Sequence, residues 1–251
     1  MTLAAQKLEV RLGEAEILCG ISASLLPGTV TAICGPNGAG KSTLLAALAG
    51  LAMPSSGEVL LDNAPFPALQ LRERARAIGY LPQAGEVAWD LSVRNLVALG
   101  RLPHGDEGQE AIEAALVACD LEGLATRPVS TLSGGEKARA LLARVLAGQP
   151  RWILADEPLA ALDLAHQLGL LATLRQAADA GAGVVLVLHD LALAMNHADR
   201  VLLLDKGELV ADALPEDALS DVSIARVWGM TARWLGQPGA RALVAEGLTA
   251  R

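Results

Sequence analysis

The sequence predicts an α/β fold: a mostly parallel, helix-covered sheet, an antiparallel β part, and an inserted helical subdomain. Three observations predict it. Short apolar runs suited to buried strands alternate with stretches of helical period, the pattern of a sheet with helices on its faces. A glycine-rich loop, Gly35-Pro36-Asn37-Gly38-Ala39-Gly40-Lys41-Ser42-Thr43, stands between one such strand and one such helix. The 251 residues are 52% hydrophobic, enough for a sizeable core, and no run approaches the ~18 apolar residues of a membrane span.

The elements follow in order. Leu3–Arg11 and Glu16–Leu25 read as strands around Gly13-Glu14, and Val30–Cys34 leads into the glycine-rich loop. The helix from Lys41 to Leu51 ends at the breaker cluster Met53-Pro54-Ser55-Ser56-Gly57. Short strands follow at Glu58–Asp62 and Ala77–Leu81. The character then changes: helices are expected at Ser92–Leu102, Glu110–Cys119 and Gly134–Gly148. We therefore expect residues 84–149 to form a helical subdomain inserted into a core of residues 1–83 and 150–251. The sheet resumes at Trp152–Ala155, followed by helix Leu164–Ala178, strand Gly183–Leu188, helix Leu191–His197, and strands Arg200–Leu204 and Glu208–Ala213. Beyond Pro215 two short helices are expected, with the last dozen residues frayed.

The chemistry centres on the loop, which fits G-x-x-x-x-G-K-[ST] in the strand–loop–helix context that a phosphate cradle needs. Gly35, Gly38 and Gly40 let the backbone wrap a polyphosphate closely, while the N–H groups and helix N-terminus point at the anion. Lys41 adds a point charge, and the Ser42 hydroxyl is placed to bind Mg²⁺. Downstream, the apolar strand Arg151 to Ala155 ends in Asp156-Glu157. Asp156 can hold the metal, and Glu157 can deprotonate an attacking water. Leu132-Ser133-Gly134-Gly135-Glu136 opens a helix with two glycines, a second anion-binding N-terminus.

With Gln83 and His189, these stretches resemble the ATP-binding-cassette ATPases, along essentially the whole chain and in the expected order. The resemblance implies a P-loop NTPase (RecA-like) core, with ATP and Mg²⁺ as cofactors. It also implies a head-to-tail homodimer, each ATP held between one subunit's phosphate loop and the other's Ser133, Gly134 and Gly135. It makes Glu157, His189 and Gln83 catalytic, with Gln83 also at the metal beside Ser42 and Asp156, and gives Asp163 of Ala161-Leu162-Asp163 a role across the dimer. Three departures stand out. Leu12 occupies the place where the family carries an adenine-stacking aromatic. Leu159 replaces the usual Thr or Ser, and Lys137-Ala138-Arg139 replaces Arg-Gln-Arg. None removes a catalytic group; the first leaves open what stacks on adenine.

Ile78-Gly79-Tyr80-Leu81-Pro82-Gln83, Gly100-Arg101-Leu102-Pro103-His104 and Leu162-Asp163-Leu164-Ala165-His166-Gln167 are similar to importer ATPases for iron–siderophore, haem or cobalamin. That resemblance implies polytopic membrane permease subunits as partners and, indirectly, a substrate-binding protein. The region from Gln83 to about Gly100, with Val87 and Trp89, is then the expected permease contact. The alternative is a non-transport cassette, a clamp in DNA repair or translation. The stretch from Ser42 to Leu132 lacks sustained heptads, the motifs occur once, and a net charge of −8 with a pI near 5.0 disfavours a nucleic-acid partner. No signal peptide is read at the N-terminus, and three scattered cysteines fit a reducing compartment. The expected location is cytoplasmic, peripheral on the inner face of the membrane.

Overall fold

The structure, a computed structural model, describes residues 2–83, 91–160 and 162–248. Strands β1 (Leu3–Leu12) and β2 (Ala15–Leu25) form a hairpin, with Gly13 in the left-handed region at the turn. β3 (Val30–Cys34) runs into the glycine-rich loop and α1 (Lys41–Leu48). β4 (Ser56–Leu61) and β5 (Ala64–Pro65) complete an antiparallel sheet of order β2-β1-β4-β5. Helix α2 (Leu71–Ala77) then leads into β6 (Ile78–Leu81). Between β6 and the next strand of the same sheet come α3 (Val93–Ala98), α4 (Gln109–Ala118) and α5 (Gly134–Ala147). The expected helix at 92–102 thus stops at Ala98 and tightens into a 3₁₀ turn, Leu99–Arg101.

β7 (Trp152–Asp156), α6 (Leu164–Asp179), β8 (Gly183–Val187), α7 (Leu191–His197), β9 (Arg200–Asp205) and β10 (Glu208–Ala213) follow. The second sheet has the order β10-β9-β3-β8-β7-β6; all its pairs are parallel except β9–β10 at the edge. The α/β fold class read from the sequence is therefore the one observed.

The pleat explains the burial. Successive strand residues point to opposite faces, and here they divide between two cores. Val30, Ala32, Ile153, Ala155, Val184, Leu186, Val201 and Leu203 face a core shared with α3 to α7. Ile33, Trp152, Leu154, Val185, Val187, Leu202 and Leu204 face a core shared with α1 and the antiparallel sheet. With both faces covered, β3, β7 and β8 are buried at every position and are apolar except at Thr31 and the site carboxylate Asp156.

The C-terminal region departs from expectation. Helices α8 (Pro215–Ala218) and α9 (Asp221–Trp228) are present, but the chain then forms a hairpin, β11 (Met230–Leu235) with β12 (Ala242–Leu248). Fraying is thus the wrong reading for residues 240–248. Trp234 anchors the hairpin, its indole N–H donating to Leu219 O at 2.7 Å.

Candidate functional site

The site forms where β3 and β7 end on either side of β8. Each strand stops at its C-terminal edge and releases the next residues into one cleft, the usual place for ligands in an open α/β sheet. From β3 comes the glycine-rich loop. Gly40 caps α1 with φ +96, and a Cβ there would lie 2.7 Å from Leu18 Cδ2. Gly35 is more confined: a Cβ would lie 2.2 Å from Leu204 O. Glycine is what allows the loop to lie so close to β2 and β9.

Lys41 is buried, and its ammonium donates to Gly35 O at 2.9 Å and Pro36 O at 3.0 Å. Burial pushes its pKa below the ordinary lysine value, while the Glu157 carboxylate acts against that. Ser42 donates from Oγ to Asp156 Oδ1 at 2.8 Å, across 114 residues of sequence. Asp156 is buried, and burial holds its carboxyl above the usual range, opposed by the Ser42 hydrogen bond.

Glu157 follows in a left-handed backbone conformation, φ +47, a strained position for a residue with a Cβ. Its carboxylate is held from two sides: Gln83 Nε2 donates to Oε2 at 2.6 Å, and His189 Nε2 bonds Oε1. Gln83 arrives from β6 and His189 from the end of β8, where Asp190 caps α7 by accepting from Ala192 N and Leu193 N. The cleft has a volume of about 380 Å³ and is lined by loop residues Asn37, Gly38 and Gly40 to Thr43, by Glu157 and His189, and by Leu12 and Ile17 from the first hairpin.

A second group gathers elsewhere. Ser133 caps α5 in a reciprocal box: its N–H donates to Glu136 Oε2 at 2.7 Å, and its Oγ accepts from Glu136 N at 3.3 Å. Asp163 caps α6, accepting from His166 N at 2.9 Å. None of Ser133, Gly134, Gly135 and Asp163 lines the cleft. One neighbour escaped the sequence reading: Tyr80, whose phenol is raised first by burial and then by the adjacent Asp156 carboxylate. An apolar strand gives no signal for such a contact. Val87, Trp89 and the rest of 84–90, with Ala161, lie outside the described residues.

Residues 18–160 match the family model for the ABC transporter. The chain belongs to the ABC transporter family. It is 42% identical to the Hemin import ATP-binding protein HmuV of Myxococcus xanthus, over 95% of each chain. It is 43% identical to HmuV of Pseudomonas entomophila, covering 89% of this chain and 91% of that one. Among solved structures it is similar to a transporter assigned to the metal-chelate type, in an inward-facing conformation. That likeness has a TM-score of 0.82 and 26% identity, covering 98% of this chain and 97% of the other. It is also similar to cbiO1 of Clostridium perfringens, part of the complex cbiONQ, with TM-score 0.78, 28% identity, and 89% and 92% covered.

As an ABC transporter ATPase, the chain binds and hydrolyses ATP, and it works with membrane permease subunits. Among the described residues no helix is long and apolar enough to cross a membrane.

Proposed function

We propose that this ATPase powers an importer for haem or a similar iron chelate or cobalamin, working peripherally on the inner face of the membrane with its permease and, indirectly, a substrate-binding protein. The cargo reading is supported by the HmuV relatives, whose printed name is hemin import. The catalytic reading is carried by one observation: Glu157 is fixed by Gln83 and His189 beside the Ser42–Asp156 pair.

In this reading the loop from Gly35 to Thr43 cradles the triphosphate through its N–H groups, with Lys41 contributing charge. Ser42 Oγ and the Asp156 carboxylate are adjacent hard oxygen donors, and Gln83 adds an amide oxygen, so the donor set fits Mg²⁺. Mg²⁺ held there would keep water and phosphate oxygens in the rest of its shell. When bound, the ion would neutralise charge on the phosphates. Glu157 takes a proton from the attacking water, and His189 orients that carboxylate and meets the γ-phosphate. Ser133, Gly134 and Gly135 act from the second copy of a head-to-tail homodimer, and Asp163 faces the same junction. Residues 84–149 form the helical subdomain that carries this second half of the site, and residues 1–83 and 150–251 the nucleotide core.

Glu157→Gln tests the assignment. Removing a general base typically costs ~10²–10⁴ in rate, so hydrolysis should nearly vanish while ATP binding persists and a dimer accumulates. Lys41→Ala should instead weaken nucleotide binding. Near-normal steady-state turnover in Glu157→Gln would end the assignment. For the cargo, the assembled transporter should be stimulated more by haem-loaded than by cobalamin-loaded binding protein.

A further inference from the structure

His166 stands between the two segments proposed to face the second subunit. Its backbone N–H and its ring are both held by one oxygen: Asp163 Oδ1 accepts from His166 N at 2.9 Å and lies 2.7 Å from His166 Nδ1. These bonds hold the Asp163 carboxyl below the usual carboxylate range, so the acceptor is ionised and Nδ1 carries the proton toward it. The imidazole is thereby fixed in orientation, although its side chain is 38% exposed.

The other side of the ring lies against Gly135. A Cβ at Gly135 would be 2.6 Å from His166 Cδ2 and 2.8 Å from both Cγ and Nε2. The ring therefore occupies the space that any other side chain at position 135 would need. Gly135 is in the first turn of α5, which the Ser133–Glu136 capping box closes with two reciprocal hydrogen bonds. The turn that carries Asp163 is tied back toward Glu157 as well, because Gln167 Nε2 donates to Leu159 O at 3.2 Å.

We propose that His166 is a positioning residue for ATP hydrolysis: its imidazole, clamped by Asp163, is the seat on which Gly135 rests. It sets the spacing between the N–H groups opening α5 and the Asp163 turn. The inference rests on the head-to-tail reading above, in which both segments complete the site of the other copy. A spacer of this kind acts on the step that needs both copies in register. First capture of nucleotide belongs to the phosphate loop, which the ring does not touch.

The test uses the purified full chain with His166→Ala, His166→Leu and His166→Asn. Leucine keeps comparable bulk but no donor, whereas asparagine keeps a planar N–H donor near the Nδ1 position. Ala and Leu should lower kcat at saturating ATP about tenfold or more with KM changed less than about threefold, and Asn should recover most of the loss. Thermal melts with circular dichroism check folding; if the Ala variant fails to fold, the Leu and Asn pair still decides. Wild-type kcat in His166→Leu, or an equal loss in all three variants, would overturn the inference. Failure of the underlying reading appears in another variant, as continued turnover by Glu157→Gln.

Discussion

An aliphatic side chain against a purine supplies contact area without a π-face, and Leu12 is the side chain at issue. It lines the phosphate-loop cleft and is 60% exposed. Of the chain's few aromatics, Trp152 and Phe66 are buried in the core, the latter under Arg74. Stacking of a base on an aromatic contributes ~1–3 kcal/mol in nucleic-acid binders, and Leu12 cannot supply it. ATP and GTP should therefore bind within about tenfold of each other, a gap of ~1.4 kcal/mol, and Leu12→Tyr should tighten ATP without altering the fold. Equilibrium binding of both nucleotides checks this; a strong native preference for ATP would mean that another group reads the base. At this scale the sequence was most informative where one residue type has one chemistry. The loop glycines, Lys41 and the Asp156-Glu157 pair could be named from spacing alone. Gln83 and His189 could not, because a loop amide and an imidazole acquire a role only when the sheet brings β6 and β8 beside β7. The Tyr80–Asp156 and His166–Gly135 contacts had no local signal at all, since each depends on packing between remote elements.

The N-terminus of α5 shows what an element adds. Glu136 accepts from Ser133 N, which is the first reason its carboxyl sits below the ordinary glutamate value, and Arg127 lies 3.7 Å from it. A carboxylate with a depressed folded-state pKa contributes stability that is fully present above its unfolded value of 4.5. That contribution is lost as pH falls through the lower folded value. Glu136→Ala should thus melt below wild type at neutral pH, with the difference shrinking as the solution is acidified below about pH 4.5. A difference in Tm independent of pH would show that the loss is of helix propensity or packing rather than of the ionised cap. Capping signals such as Ser133-x-x-Glu136 are why this helix was legible from sequence. Helix α2, Leu71-Arg72-Glu73-Arg74-Ala75-Arg76-Ala77, was not foreseen, because it buries only Ala77 and so lacks apolar periodicity. The β11–β12 hairpin was missed for the same reason: β12 is mostly exposed, and its pairing cannot be read from a pattern of burial.

For the whole molecule, the sheet is a partition between two cores, and the three cysteines report on it. Cys34, at the end of β3, and Cys119, after α4, both belong to the core shared by the sheet and helices α3 to α7. Burial pushes each thiol up to about 12. Cys19 lies exposed on β2. Only a thiolate is an effective nucleophile, so at mildly alkaline pH the two buried thiols are shielded by both charge state and packing. Maleimide should therefore add once to the native chain, at Cys19, and at all three positions after denaturation. The two buried cysteines lie far apart in sequence, one on the sheet and one among the inserted helices, yet share a continuous apolar cluster. Their slow labelling in the native state should accordingly follow one opening event, with matching rates and a matching dependence on low denaturant. Peptide mass spectrometry across a labelling time course separates the sites. If Cys119 labels much faster than Cys34, the inserted helices open from the sheet as a unit of their own. That outcome would replace the single shared core with a hinge between residues 84–149 and the nucleotide core.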